Sequence, residues 1–155
     1  MRLTLHTDYA LRVLLYAGLK RRELVTIPEL VRHFDMSKGH AMKVVHGLAR
    51  KGYLETLRGK SGGLRLARPP EEIGVGAVVR DTESELGVIG CLQGQSGYCR
   101  IEECCALRRA LRQATEAFLA TLDRYTIADL LRPRTVLARL LQLDVPGRPV
   151  LNGRA

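Results

Sequence analysis

The chain has 155 residues, 46% of them hydrophobic and 26% charged, which is typical of one globular domain with or without a short appended element. No apolar run approaches the roughly 18 residues of a membrane span, and the apolar stretch at 13–19 lacks the cleavage site of a signal peptide. These features argue against a membrane protein and predict a soluble, cytoplasmic one.

Positive charge is concentrated in the N-terminal part of the chain. Residues 1–68 contain 14 Lys and Arg against 5 Asp and Glu, and all five lysines lie there. Residues 69–155 contain 11 of each sign, so the formal net charge of +9 belongs to the first part. An Arg-rich composition alone would not confine the excess to one half of the chain. The asymmetry therefore indicates a polyanionic partner.

Three helices are predicted in this basic part. The first runs over 8–19 with Thr7 as its cap, and the second begins at a Thr-Ile-Pro-Glu capping box at 26–29 and ends near residue 33. Ser37 caps a third helix over 38–51, whose apolar residues recur at helical spacing. Only a tight turn fits between the second and third helices, which predicts a helix-turn-helix.

A β-hairpin is predicted directly after the third helix. Residues 53–57 and 64–66 alternate apolar and polar side chains, and they flank a loop of glycines and cations at 58–63. A helix-turn-helix followed by a basic hairpin has the order of a winged helix.

The rest of the chain predicts a short helix over 73–82, an unpatterned segment over 84–105, a long amphipathic helix over 106–124 and short helices at 126–129 and 135–143. The apolar stripe of the long helix exceeds what one small domain needs, so this helix is expected to pair across a dimer axis. The predicted fold is mainly α with a small β-hairpin, divided into a winged helix-turn-helix domain (1–70), a segment that combines the loop containing all four cysteines with a dimerisation helix (71–143), and a tail (144–155).

DNA is the polyanion that this arrangement favours. The first turn of a recognition helix reaches base edges, and a basic wing contacts phosphates or a minor groove. Considered singly, each of these side chains is more simply a solvated surface residue; considered as helix, turn, helix and wing in order, they predict DNA binding. The predicted DNA-binding residues are Ser37, Lys38, Gly39, His40, Lys43, Arg58, Lys60 and Arg65.

All four cysteines lie in the unpatterned segment, at positions 91, 99, 104 and 105. Gaps of seven and then four or five residues fit poorly with the close Cys-x-x-Cys pairs of structural zinc sites. Spacing this wide favours a loop that surrounds an iron–sulfur cluster, although zinc remains an alternative. Adjacent Cys104 and Cys105 are not expected to bind together, so the cysteines supply three ligands and leave the fourth open.

Several ordered motifs resemble the iron–sulfur winged-helix transcription regulators. They are LTLHTDYALR at 3–12, KGY at 51–53, RGKSGGLRL at 58–66 and YTIADL at 125–130, so the resemblance extends from residue 1 to about 143. It implies a cytoplasmic homodimer that binds an inverted-repeat DNA operator as a repressor. The branch that it resembles most senses nitric oxide and releases DNA when the cluster is nitrosylated.

The same resemblance implies a ligand set. Cys91, Cys99 and Cys105 match the cluster cysteines of the family, and Cys104 is then a spare. The histidine ligand of one branch is replaced here by Arg108, which leaves Asp8 of the partner subunit as the implied fourth ligand of a 4Fe–4S cluster, with 2Fe–2S as the alternative. The spare thiol and the long first gap depart from the family pattern and leave the third thiolate open between Cys104 and Cys105.

Two other functions were weighed against this one. A winged-helix regulator that senses redox or metal through zinc or cysteine thiols would bind DNA in the same way but respond to a different signal. An enzyme is not expected, because all four histidines lie in the basic part and no nucleophile–base pair or nucleotide-binding motif is present.

Overall fold

The computed structural model describes residues 2–20, 23–59, 61–87, 90–92, 100–101 and 104–143. These residues form seven α-helices and one two-stranded antiparallel hairpin, which confirms the predicted fold class. The elements are α1 (Leu5–Leu19), α2 (Ile27–Phe34), α3 (Lys38–Arg50), β1 (Leu54–Leu57), β2 (Gly63–Leu66), α4 (Val75–Thr82), α5 (Ala106–Leu122), α6 (Ile127–Leu130) and α7 (Arg134–Leu140).

The helix-turn-helix is formed by α2 and α3 packed on α1. The predicted capping box is present at the start of α2, where the Glu29 amide donates to Thr26 Oγ1 at 3.4 Å and the Thr26 amide donates to Glu29 Oε2 at 2.7 Å. Ser37 caps α3 by accepting the His40 amide at 3.2 Å. Met36, in the turn between the helices, is buried and closes the core beneath them.

The first helix begins one turn earlier than the sequence predicts. Thr4, rather than Thr7, is its cap and accepts the Thr7 amide at 3.3 Å. Thr7 is fully buried, and its hydroxyl donates to Thr82 Oγ1 at 2.9 Å. The cap was misplaced because the partner that engages Thr7 lies 75 residues away, where local sequence patterns give no information.

The hairpin pairs Leu54 with Leu66 and Leu57 with Gly63. A Cβ at Gly62 would collide with the carbonyl oxygen of Leu57, so the tight return of the chain requires glycine there. Behind the hairpin, Val25 and Leu64 exchange backbone hydrogen bonds of 2.9 and 2.8 Å, which fix the wing to the segment before α2.

The C-terminal half packs on α1 through α4 and α6. A short bridge links the entry of α4 to the entry of α6, since the Val75 amide donates to the Tyr125 carbonyl at 2.9 Å and the Ile127 amide to the Ile73 carbonyl at 2.8 Å. In contrast to the other long helices, α5 has no buried residue among its 17, all of which are described. One face of α5 is therefore available to a partner.

Candidate DNA interface and cluster site

The third helix has one packed face and one open face, as its sequence predicts. Ala41, Val44, Val45 and Leu48 are buried against α1, α2 and β1. The open face is exposed and mostly basic; it comprises Lys38, His40, Met42, Lys43, His46 and Arg50.

The predicted DNA-binding residues at the start of α3 lie together on this open face. Ser37 and Gly39 are exposed, and the His40 ring lies 6.0 Å from that of Tyr9 in α1. A Cβ added to Gly39 would meet no atom within 4 Å, so the fold does not require glycine at this position. The first turn of α3 therefore exposes backbone amides, small side chains and Lys38 to solvent, and no large side chain covers them.

The hairpin places Arg58 and Arg65 on the surface next to this helix–turn–helix unit. Arg65 Nε donates to Glu55 Oε2 at 3.0 Å across the two strands, and this contact raises the pKa of the Arg65 guanidinium. Both side chains are about half exposed, so the pair orients Arg65 at the surface without burying its charge. Lys60 at the tip of the wing lies outside the described residues.

Two of the four cysteines have described side chains. Cys105 is the cap of α5, where its half-buried Sγ accepts the Arg108 amide at 3.4 Å. Cys104 is exposed, and its thiol donates to the Ile101 carbonyl at 3.6 Å. Cys99 and the side chain of Cys91 lie outside the described residues, but the short 3-10 helix Gly90–Leu92 contacts α5.

Asp8 lies in the first turn of α1, with its carboxylate 42% exposed. Arg12, one turn further on, binds both of its oxygens: Nε donates to Oδ1 at 3.1 Å, and the second nitrogen lies 2.8 Å from Oδ2. The predicted ligand is therefore accessible from outside the subunit, and each of its oxygens keeps a lone pair beside the contact with Arg12.

The residues fit an iron–sulfur cluster by their chemistry. Thiolates are the usual ligands of such clusters, and the positive end of α5 favours negative charge on the Cys105 sulfur. The described residues contain no group of three or more His, Cys, Asp or Glu that could hold a metal ion. Cys99 and the side chain of Cys91 lie outside them, so the implied ligand set stays a prediction.

A cluster of contacts at the end of α4 was not predicted from the sequence. Four consecutive residues, 80–83, bind three different parts of the molecule, and we call this segment the α4 junction. Arg80 forms a bidentate salt bridge with Asp123 at the end of α5, with N–O distances of 2.7 and 2.6 Å. Asp81 Oδ1 accepts a hydrogen bond of 2.8 Å from Nζ of Lys51, directly after α3.

The other two junction residues bind the start of α1. Thr82 Oγ1 accepts a hydrogen bond from the Thr7 hydroxyl. Glu83 Oε1 accepts hydrogen bonds of 2.7 and 3.0 Å from the amide and the hydroxyl of Thr4. The α4 junction therefore connects the end of α5, the end of α3 and the first turn of α1, which contains Asp8. Its only sequence signal is that the polar residues 80–83 directly follow a run of small and apolar residues at 73–79.

Tyr53 strengthens the connection between α3 and α4. Its hydroxyl donates to Asp81 Oδ2 at 2.7 Å, and burial together with this carboxylate raises the pKa of Tyr53 to about 12. Hydrogen bonds from Lys51 and Tyr53 lower the pKa of Asp81. The carboxylate of Asp81 therefore stays ionised and bound to both groups at neutral pH.

Comparison with known proteins identifies the family. The profile of the Rrf2 family, described as iron-dependent transcriptional regulators, matches residues 3–133. The chain belongs to the Rrf2 family. The HTH-type transcriptional regulator NsrR of Geobacillus kaustophilus is 47% identical over 143 residues, which cover 92% of this chain and 97% of the relative. NsrR of Bacillus subtilis is 40% identical over 144 residues, which cover 92% and 99%.

Solved structures agree on the fold. IscR of T. potens has a TM-score of 0.69 at 18% identity and covers 86% of this chain and 88% of its own. Together these results confirm the resemblance and the winged-helix fold, and they make the chain a DNA-binding transcriptional regulator rather than an enzyme. No helix in the described ranges is long and apolar enough to cross a membrane. The individual site residues stay predictions.

Proposed function

We propose that this Rrf2 protein is a cytoplasmic homodimeric repressor that binds an inverted-repeat operator and releases it in response to nitric oxide through an iron–sulfur cluster. The observation that supports this most is the placement of Cys105 at the N-terminus of α5, with the Cys91 turn against the same helix. Cys91, Cys99 and Cys105 would bind the cluster, with Asp8 of the partner subunit. When bound, the cluster supplies iron that reacts with nitric oxide.

A dimer is supported by the outer face of α5. Leu107 is 61% exposed, and Leu111, Phe118 and Leu122 on the same stripe are only half-buried. Pairing this stripe with its copy would remove apolar surface from water, which is the main favourable term in association. A two-fold dimer would present two α3 helices to successive major grooves, so an inverted repeat with half-sites about one helical turn apart is expected.

The α4 junction offers a route from sensor to DNA-binding surface within each subunit. A movement of α5 acts on Arg80 through Asp123, and the adjacent Asp81 binds Lys51 and Tyr53 directly after α3. A change at Asp8 acts on the same segment through Thr4 and Glu83. Two separate inputs therefore meet on one short helix that contacts the end of α3, as allosteric coupling requires.

Anaerobic purification tests the proposed signal. We expect a coloured protein whose iron and sulfide contents correspond to one cluster per chain, and whose operator affinity falls when nitric oxide is added. A colourless protein that contains zinc and ignores nitric oxide, but responds to thiol oxidation, would support the alternative regulator instead.

Changing Lys43 to Ala tests the open face of α3. Lys43 is exposed there, and the loss of a base contact costs about 1–3 kcal/mol of binding free energy. We expect a corresponding loss of operator affinity in a titration at fixed salt, with the dimer intact by gel filtration; Lys38→Ala should behave in the same way. Unchanged affinity in both variants would exclude this face from the interface.

Changing Arg80 to Gln tests the α4 junction. The side chains of Arg80 and Asp123 are both exposed, so the loss of their salt bridge should change the free energy of unfolding little. We expect the ratio of operator affinities without and with nitric oxide to fall about twofold to 30-fold, the range for residues that carry coupling.

The matched control is Arg132→Gln, which breaks the 3.0 Å pair between the exposed Arg132 and Asp129, three residues earlier in the chain. That pair joins no separate elements, so the affinity ratio should stay at the wild-type value. Equal ratios in wild type, Arg80→Gln and Arg132→Gln would show that the junction does not transmit the signal.

A further inference from the structure

Met42 is a large apolar side chain on the open, basic face of α3. It is 54% exposed, and it is the only residue of α3 among the exposed large hydrophobic residues in the described part of the chain. The packed face of the same helix already contacts α1, α2 and β1 through other residues. Met42 is therefore not part of the hydrophobic core.

The neighbours of Met42 on the helix leave it open. Gly39, one turn earlier, has no side chain and free space around it, while Lys38 and His46 lie one turn before and after and are exposed. Met42 therefore lies among exposed polar side chains, Lys38 before it and His46 after it, in the first half of a helix whose N-terminal part is expected to enter the major groove.

The edges of base pairs in the major groove present one apolar group, the 5-methyl of thymine. The other groups there are hydrogen-bond donors and acceptors, with which a thioether carbon chain forms no strong contact. A flexible, unbranched side chain is also suited to an irregular apolar surface.

We propose that Met42 reads the 5-methyl group of a thymine in each operator half-site and so helps to determine which sequence the protein binds. This inference rests on the DNA-reading role of α3 proposed above. It adds a base identity that the charged residues of the same face do not specify.

Replacing thymine by uracil removes the methyl group and keeps every hydrogen-bonding group, so it isolates this contact. The operator is first selected from a random duplex library with the wild-type dimer. Each thymine is then replaced by deoxyuridine, symmetrically in both half-sites, and affinities are measured by fluorescence anisotropy at fixed salt.

For wild type, we expect one symmetric replacement to weaken binding by about fourfold for each methyl removed, hence about 15-fold for the pair. Met42→Ala should bind the thymine operator more weakly and lose its preference for thymine over deoxyuridine at that position alone. The effects of removing the Met42 side chain and of removing the thymine methyl group are then not additive, as expected when the two groups contact each other directly. Met42→Leu, which keeps an apolar side chain, should retain the preference.

Val136→Ala is the matched control, since it truncates an equally exposed apolar side chain (48%) on α7 and should leave every preference unchanged. The inference is overturned if no thymine methyl affects wild type, or if Met42→Ala keeps the full preference. A loss of affinity that is uniform over all sequences would also overturn it. Lys43→Ala is measured in the same assay. If α3 is not the DNA interface at all, Lys43→Ala binds like wild type; if α3 is the interface and only the role of Met42 is wrong, Lys43→Ala binds more weakly.

Discussion

Cys105→Ala is expected to lose the iron–sulfur cluster, whereas Cys104→Ala is expected to retain it. Cys105 is half-buried at the N-terminus of α5, where the partial positive charge of the helix favours a thiolate ligand. Cys104 is exposed, and its thiol donates to a backbone carbonyl within its own turn. Iron and sulfide contents of anaerobically purified protein measure the difference, which should be close to all or none.

Removing Cys105 also removes the cap of α5, so lost folding could imitate lost binding. Cys105→Ser separates the two effects, because serine is a good cap but a poor cluster ligand. We expect Cys105→Ser to keep the wild-type helix content and dimer while its iron content falls as in Cys105→Ala. If Cys105→Ser keeps the cluster and Cys104→Ala loses it, the third thiolate is Cys104.

The elements that the sequence predicted well are those determined by neighbouring residues. The capping box at Thr26 and Glu29 and the cap at Ser37 each involve atoms three residues apart, so they can be recognised without knowledge of the fold. The alternation of the wing and the packed face of α3 follow from the periods of strand and helix in the same way.

The features that were missed depend on long-range contacts. Thr7 has the sequence signal of a cap, but its hydroxyl binds Thr82, and Glu83 binds Thr4 over a separation of 79 residues. The α4 junction could not be predicted for the same reason, because Arg80 and Asp81 resemble ordinary surface charges unless their distant partners are known. Asp8 was chosen from the family resemblance, and its pair with Arg12 is the one part of its environment that helical spacing could have predicted.

Asp8→Ala is expected to abolish the release of DNA by nitric oxide while part of the cluster is retained. The three cysteines remain in this variant, and a carboxylate is a harder and weaker ligand for iron than a thiolate, so its loss should change the absorption spectrum more than the iron content. Wild-type protein should show an affinity ratio of about 5–150 between the states without and with nitric oxide, and Asp8→Ala a ratio near one.

Glu23→Ala is the control for this experiment, because it removes an exposed carboxylate from an ion pair at the other end of α1, where Glu23 lies 3.1 Å from Lys20. It should keep the wild-type spectrum and affinity ratio.

The reason for expecting uncoupling is the position of Asp8 in the chain. Its amide donates to the Thr4 carbonyl at 3.1 Å, and Thr4 is bound by Glu83, so the first turn of α1 is connected directly to the α4 junction. A ligand bond at Asp8 would therefore act on the segment that also binds the end of α3, whereas a cluster bound by the cysteines would act through α5. If Asp8→Ala keeps the full wild-type ratio, the fourth ligand is another group and the signal reaches α4 through Arg80 and Asp123 alone.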